Sequence, residues 1–489
     1  MECRPWQRLR YLGVRKIHCS GSLRIANPRA KGTGNVEIGT RKGFRALAQD
    51  PGGHFPDLIN GDPKAKIAGR VYRLDLGILT GTDGEAEFGG WAMRDEMIAI
   101  FKAGVARADP GAAVTAALGG PGQPDLILSI GKAAVSMARA ALARFPGTDC
   151  LIVTNPENAV DLSGARVMLG GHPVPDAGSA AAGDAVLRAA GALTAGQHCL
   201  ALISGGGSAL AVAPVAEVTL EDKAEVSRLL LSAGLDIKAM NLVRQNLSRL
   251  KGGGLARACA PATMEALILS DVVGDDLGAI ASGPTVPPLG GPAEARDLLH
   301  DTGLWDRVPE SCRAALKTAK PGPVPPVPTR LVGSNRLSAE AMLAAAPGAT
   351  LDPVPLEGDV AEAASRIARR ARSGAGTTLW GGETTVVLRG QGRGGRNQEL
   401  ALRVALALQD IDRPWAFLSG GTDGRDGPTD AAGAIVDHGT LGRIAAAGLD
   451  VSAMLAENDS YPALAAAGDL LITGGTGTNV ADLQILRVG

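Results

Sequence analysis

The sequence predicts an α/β protein, with two α/β domains, mostly parallel sheets and a cleft between the domains. Three observations carry that expectation. Short continuous apolar runs alternate with helix-patterned segments, the pattern of a parallel sheet covered on both faces. Five of the runs end in glycine clusters with polar neighbours, and clustered glycines at strand ends suit loops whose N–H groups face an anion. A proline-dense segment at 321–328 (PGPVPPVP) reads as a stiff linker between the two domains.

Taken in order, 126–130 (LILSI) is a strand that leads through Gly131-Lys132 into a small-residue helix at 133–143. Strands follow at 151–154, 167–169 and 199–203, with a helix at 184–193. Thr219-Leu220-Glu221-Asp222 has a capping pattern that opens a helix. The next helix, 236–250, carries Ile237, Met240, Val243, Leu247 and Leu250 on one stripe and stops at Lys251 and three glycines. Its other face holds Asn241, Arg244, Gln245, Ser248 and Lys251 and is expected to be solvated, with Lys251 the exception because it adjoins the glycines. A strand at 267–270 ends at Asp271. Beyond the prolines, strands at 330–333, 377–380, 384–388, 415–418 and 470–473 alternate with helices at 338–346, 359–372, 398–408 and 440–447. The domains therefore divide as 93–328 and 329–489.

Composition limits the function. The 489 residues are too many for one ordinary domain. No apolar run approaches the roughly 20 residues that a membrane helix needs. A net charge of −1 and 3% aromatics give no case for a nucleic-acid or anionic-membrane partner. Six cysteines without a C-x-x-C pair fit reduced thiols in a cytoplasmic protein. Residues 1–92 stand apart, with 15 Lys+Arg against 9 Asp+Glu, a net of +6, and no persistent period. They are expected to be a disordered extension, and the acid-led helix that starts at Met93 points to a natural start there.

The glycine clusters are Ser204 to Ser208, Gly381 to Glu383, Gly390 to Glu399, Ser419 to Gly424 and Thr473 to Asn479. Any glycine-rich α/β protein turns its corners with glycine, but five loops with Arg, Glu, Asp and Asn beside them favour a polyanion site. Lys132, after a strand and a glycine at the start of a helix, sets an ammonium beside helix N–H donors. The segment 390–395 matches G-x-G-x-x-G, yet no acid closes the next strand as a dinucleotide fingerprint requires. Its Arg393 and Arg396 suit phosphate at least as well. Asp271, Glu383, Asp423 and Asp430 sit at strand ends or in glycine loops and are candidates to hold Mg²⁺. His172, His198, His300 and His438 fall in separate patterns, and no hydrolase triad emerges.

The segments SIGKAA (129–134), LISGGGSAL (202–210), NLSRLKGGGLA (246–256) and LSDVVGDDLGAIASGPT (269–285) resemble the D-glycerate 2-kinase family. So do GGETTVVLRGQGRGGRNQELAL (381–402), SGGTDGRDGPTDAAGA (419–434) and GGTGTNVADLQI (474–485), in the part that the family calls its MOFRL domain. The resemblance covers Met93 to Gly489 and implies a Rossmann-like kinase domain over 93–328 and a MOFRL domain over 329–489. It implies transfer of the γ-phosphoryl group of ATP to the 2-hydroxyl of D-glycerate with Mg²⁺. Its functional lysine falls on Lys132 and its arginine on Arg396, with Arg393 and Arg336 as alternatives. Ser204, Gly205, Gly206, Gly207, Ser208, Lys251, Glu383, Gly394, Gly395 and Asn397 are then expected to bind substrate or nucleotide, and Asp271 and Asp423 the metal. Some family members carry a hydroxypyruvate reductase name, so an NAD(P)-dependent reductase is the alternative. The oligomeric state stays open.

Overall fold

The computed structural model describes residues 82–119 and 122–489, with two short strand pairs at 23–24/35–36 and 66–67/70–71 and side chains from Met93 onward. The expectation of a disordered extension lies otherwise outside the described residues. Residues 90–489 form one compact unit.

The first sheet is parallel throughout. Its strands are β1 (Leu126–Ile130), β2 (Asp149–Thr154), β3 (Ala165–Leu169), β4 (His198–Ile203), β5 (Thr263–Leu269) and β6 (Thr329–Gly333), in the order β3-β2-β1-β4-β5-β6. That order reverses between β1 and β4, so the loops that leave those two strands part and open a crevice at their carboxyl ends. β1 is buried along its whole length. Leu128 and Ile130 pack with Val186 and Leu210 on one face, and Ile127 packs with Met137 and Phe145 on the other. A continuous apolar run is what such a doubly covered strand needs.

The Thr219 cap forms as the sequence indicates, with reciprocal bonds between Thr219 and Asp222. The next helix, Ile237–Asn246, ends short of the expected Leu250. Ser248 Oγ accepts from the N–H groups of Leu250 and Lys251, and that turn swings Lys251 inward.

The second sheet contains β7 (Thr350–Leu351), β8 (Leu356–Asp359), β9 (Gly376–Thr385), β10 (Trp415–Gly421), β11 (Gly433–Asp437), β12 (Leu470–Leu471) and β13 (Asp482–Val488). Only β7 and β8 run parallel to their neighbour β9. The β9-β13, β13-β10, β10-β11 and β11-β12 pairs are antiparallel, so the mostly parallel expectation holds for the first sheet and not for this one. An apolar run carries no mark of its direction. The expected loop at Gly381 to Glu383 is also absent, because β9 continues through it. A Cβ on Gly381 would lie 2.0 Å from Asn335 Oδ1, and one on Gly382 2.1 Å from the Leu356 carbonyl. Those glycines admit close neighbours within a strand rather than ending it.

The division at 328/329 falls one strand early, since β6 pairs with β5 in the first sheet. The first helix, Thr82–Arg107, begins eleven residues before Met93 and packs on the second sheet, where Met97 and Phe101 meet Leu379, Leu418 and Ile485. Buried Arg94 fixes it there through Asp437, Asp469 and the Ile435 carbonyl. The chain thus contributes to the second core before it builds the first sheet.

Candidate active site

The site begins at the crevice between β1 and β4. Lys132 N–H donates to the Gly205 carbonyl at 2.9 Å, and Ala133 N–H to Ser204 Oγ at 3.1 Å, so the two loops lock together. In contrast, the N–H groups of Gly205, Gly206, Gly207 and Ser208 donate to no protein group among the described residues. Gly206 has φ +80° and is followed by a short helix, Gly207–Leu210, so successive N–H groups form a concave anion nest. A Cβ on Gly205 would lie 1.9 Å from Asp271 Oδ2, and one on Gly206 would lie 3.2 Å from Lys132 Cε. The glycines therefore let Asp271, just beyond β5, and Lys132 lean across the loop. Gly205→Ala is expected to displace Asp271 and lower kcat/KM about 10²-fold, the cost of roughly 1 Å of misplacement. Circular dichroism and thermal melting should show the fold intact; full activity in a folded G205A protein would contradict this placement.

The second sheet supplies Arg396, the first residue of the helix Arg396–Ala407. Its Nε and Nη2 donate to the two carboxylate oxygens of Asp482 at 2.7 and 3.0 Å, and Nη1 lies 2.7 Å from Glu383 Oε1. The Asp482 side chain is 0% exposed. Asn335 Nδ2 donates to its backbone carbonyl, and the register sets Asp482 between Gly382 of β9 and Gly421 of β10. Burial works against the charge of Arg396, but Asp482 and Glu383 outweigh it and raise its pKa above the ordinary arginine value. Burial also raises the carboxyls of Asp271, Glu383 and Asp423 above their ordinary values. The two halves share one field: Lys132 acts on Asp271 and Asp423, and Asp271 acts on Glu383. Four carboxylates (Asp271, Glu383, Asp423, Asp482) against two cations (Lys132, Arg396) give a formal charge of −2. Such a centre fits a divalent cation that arrives with phosphate better than a bare anion.

Sequence reasoning missed Asp482, although an acid that opens an apolar strand at the end of the last glycine motif marks it. It named His172 but gave it no role; that residue lies beyond β3, and its Cδ2 would lie 3.1 Å from a Cβ on Gly206. Burial and then Lys132 lower the His172 pKa, which favours neutral imidazole at pH 7. The Thr473 to Asn479 loop braces Asp423: Thr476 Oγ1 donates to the Thr422 carbonyl at 2.6 Å, and Thr422 Oγ1 to that of Ala481 at 2.7 Å.

The glycine segment at 390–397 is closed over much of its length. Gly392 N–H donates to the Glu457 carbonyl, Arg389 and Gly390 N–H to Asn458 Oδ1, and Arg393 N–H to Asp459 Oδ1. Asp426 takes the helix N-terminus, with its carboxylate bonded to the N–H groups of Asn397 and Gln398. Gly390, Gly392, Arg393, Asn397 and Gln398 therefore offer no free N–H group to a dinucleotide, while the N–H groups of Gly394, Gly395 and Arg396 donate to no protein group among the described residues. A Cβ on Gly394 would meet Ser460 Oγ at 2.2 Å, and one on Gly395 would meet Asp426 Cγ at 2.3 Å. The Asn397 side chain is buried between Asp426 and Ser419. Arg393 lies over the Tyr461 ring, with Asp430 bonded to the Tyr461 hydroxyl, and Arg336 pairs with Glu340 on the surface. Arg396 alone of the three arginines faces the centre.

Burial raises Asp426 from the ordinary 3.8 to about 6, against the bonds from Gln398 and Asn397. A raised carboxyl stabilises the fold fully below its unfolded pKa and loses that contribution as pH rises through the folded one. Asp426→Asn should therefore gain about 2–3 kcal/mol relative to wild type between pH 4 and 7, read from urea unfolding at both values. A gap independent of pH would contradict it.

No group of three or more His, Cys, Asp or Glu side chains suited to a metal occurs among the described residues. Asp271 and Asp423 remain carboxylates without a cation partner in salt-bridge contact, a donor set that suits Mg²⁺ held by one or two acids with water and phosphate.

Two family models match the chain, a domain of unknown function (DUF4147) over 96–317 and the MOFRL family over 376–482. Fold and site define an α/β kinase of small molecules, with a doubly wound sheet and a MOFRL sheet facing one charged centre. A glycerate 2-kinase of Pyrococcus horikoshii is 38% identical over 384 residues, 74% of this chain and 87% of that one. A protein of Agrobacterium vitis with a provisional hydroxypyruvate reductase name is 41% identical over 415 residues, 80% of this chain and 93% of its own. A crystal structure of glycerate kinase from Thermotoga maritima superposes with TM-score 0.77 at 35% identity, covering 81% of this chain and 100% of that one. The chain belongs to the glycerate 2-kinase family. Among the described residues no helix is long and apolar enough to cross a membrane.

Proposed function

We propose that this protein transfers the γ-phosphoryl group of ATP to the 2-hydroxyl of D-glycerate with Mg²⁺ in the cytoplasm, giving 2-phosphoglycerate. The observation that carries this reading is the convergence of Lys132 and Arg396 with four carboxylates beside an unpaired N–H nest at the switch point of the first sheet. Phosphoryl transfer passes through a loose transition state with charge on the equatorial oxygens, so catalysis is chiefly positioning and charge stabilisation. The N–H groups of Gly205 to Ser208 would bind phosphate oxygens, and the Lys132 ammonium beside them would neutralise the transferring group. Arg396, oriented by Asp482 and Glu383, would bind it from the opposite side. Asp271 and Asp423 would hold Mg²⁺, which would neutralise phosphate charge. Neutral His172 or a carboxylate raised by burial would accept the hydrogen bond of the attacking hydroxyl.

The reductase alternative has the provisional names of two relatives behind it, but half of its glycine fingerprint is closed by protein bonds. An assay that couples ADP release to D-glycerate, run beside NADH oxidation with hydroxypyruvate, separates the two. The expected result is D-glycerate-dependent ADP formation and no NADH oxidation. The converse would replace the kinase reading with the reductase.

A further inference from the structure

On the polar face of the Ile237–Asn246 helix, Asn241 and Gln245 turn into the protein, and among the described residues only the exposed outer end, Lys238, pairs with an acid, Asp276. Lys251 is 5% exposed, and its Nζ donates to Ser208 Oγ at 2.5 Å. Ser208 Oγ lies 2.9 Å from Ser282 Oγ, which donates to Asn241 Oδ1 at 3.2 Å. The hydrogen bonds thus run from ammonium to amide oxygen and leave Asn241 Nδ2 with no acceptor, in a side chain only 1% exposed. Lys223 is buried, and both it and Arg244 repel Lys251. Among the described residues no carboxylate forms a salt bridge with any of these three cations. Burial, with that repulsion added, lowers the Lys251 pKa well below the ordinary lysine value. Burying a charge with no partner is costly, and an anion beside Lys251 would relieve both effects and give Asn241 Nδ2 an acceptor.

The two ends of the Ser204 to Ser208 loop therefore differ in charge. Beside Gly205 and Gly206 stand Asp271 and Lys132, part of the centre of formal charge −2, which suits phosphate with its divalent cation. Beside Ser208 stands Lys251 with Lys223 and Arg244 behind it and no carboxylate in salt-bridge contact among the described residues, which suits an anion that brings no metal. The two reactants of the kinase reading differ in the same way, because polyphosphate arrives with Mg²⁺ and a hydroxy-acid carboxylate does not. Resting on that reading, we propose that Lys251, Ser208 and Asn241, backed by Arg244 and Lys223, form the subsite for the carboxylate of the acceptor and select 2-hydroxy acids over neutral polyols. The Ser208 N–H, which donates to no protein group among the described residues, adds a further donor.

Asn241→Asp, nearly isosteric, and Lys251→Met test the subsite. Each should raise the KM for D-glycerate about 10- to 100-fold, the loss of one charge-assisted hydrogen bond, and move the KM for ATP less than about threefold. Each should also narrow the preference of the wild type for D-glycerate over glycerol by a similar factor. A rise in the KM for ATP alone, equal rises in both, or unchanged selectivity against glycerol would overturn the assignment. Calorimetric titration of D-glycerate into wild type and Asn241→Asp reads the subsite without turnover. Tight binding to wild type and weakened binding to the variant support it even if D-glycerate is not phosphorylated, an outcome that would overturn only the activity. Equal binding to both proteins overturns the subsite whatever the activity.

Discussion

Lys132→Ala is expected to lower kcat for D-glycerate phosphorylation about 10²–10³-fold, the usual loss when a donor aimed at developing charge is removed. The lysine is well placed for that role. It lies at the switch point, its backbone N–H is locked to the glycine loop, and its ammonium forms no ion pair among the described residues, so its charge is free for a ligand. Its neighbours Asp271 and Asp423 feel its charge without binding it. The fold should survive, because no buried carboxylate depends on Lys132 for a partner. Steady-state kinetics with a thermal melt checks both parts. A K132A protein with unchanged kcat would remove Lys132 from the centre.

Arg396→Ala should cost both activity and stability, and the two losses have different causes. Removing the guanidinium leaves Asp482 buried with its charge uncompensated, which should destabilise by about 3 kcal/mol. Activity should fall by at least the factor expected for Lys132, since the transferring group loses its clamp from the second sheet. The double variant Arg396→Ala/Asp482→Asn separates the effects, because a neutral amide at 482 removes the orphaned charge. Urea unfolding should recover most of the lost stability, while kcat stays low. Recovery of kcat together with stability would show that Arg396 is a structural residue only.

The first sheet was legible in the sequence because doubly buried parallel strands are continuous apolar runs, and all six fall close to their expected positions. The switch point was not legible, since strand order depends on crossovers that apolar pattern does not encode. Sheet direction and boundaries in the second half were less readable. β13 and β11 went unrecognised, and the glycines at 381–382 imitate a turn within β9. Of the expected site, Lys132, the Ser204 to Ser208 loop, Asp271, Glu383, Arg396 and Asp423 lie near one another. Asn397 does not join them, because Asp426, 29 residues away, takes its N–H group and that of Gln398. A carboxylate distant in sequence that takes those N–H groups leaves no local signal. The buried polar face around Asn241 and Lys251 misled for a related reason: polar residues at helical spacing look solvated until another loop covers them.

Phosphorus NMR of the products from ATP, Mg²⁺ and D-glycerate tests the central claim most directly. Growth of a phosphomonoester resonance matching 2-phosphoglycerate, equal to ADP formed and absent with Lys132→Ala, is the predicted result. Formation of 3-phosphoglycerate would contradict the 2-hydroxyl assignment, and a spectrum in which ATP remains intact would contradict the kinase assignment itself.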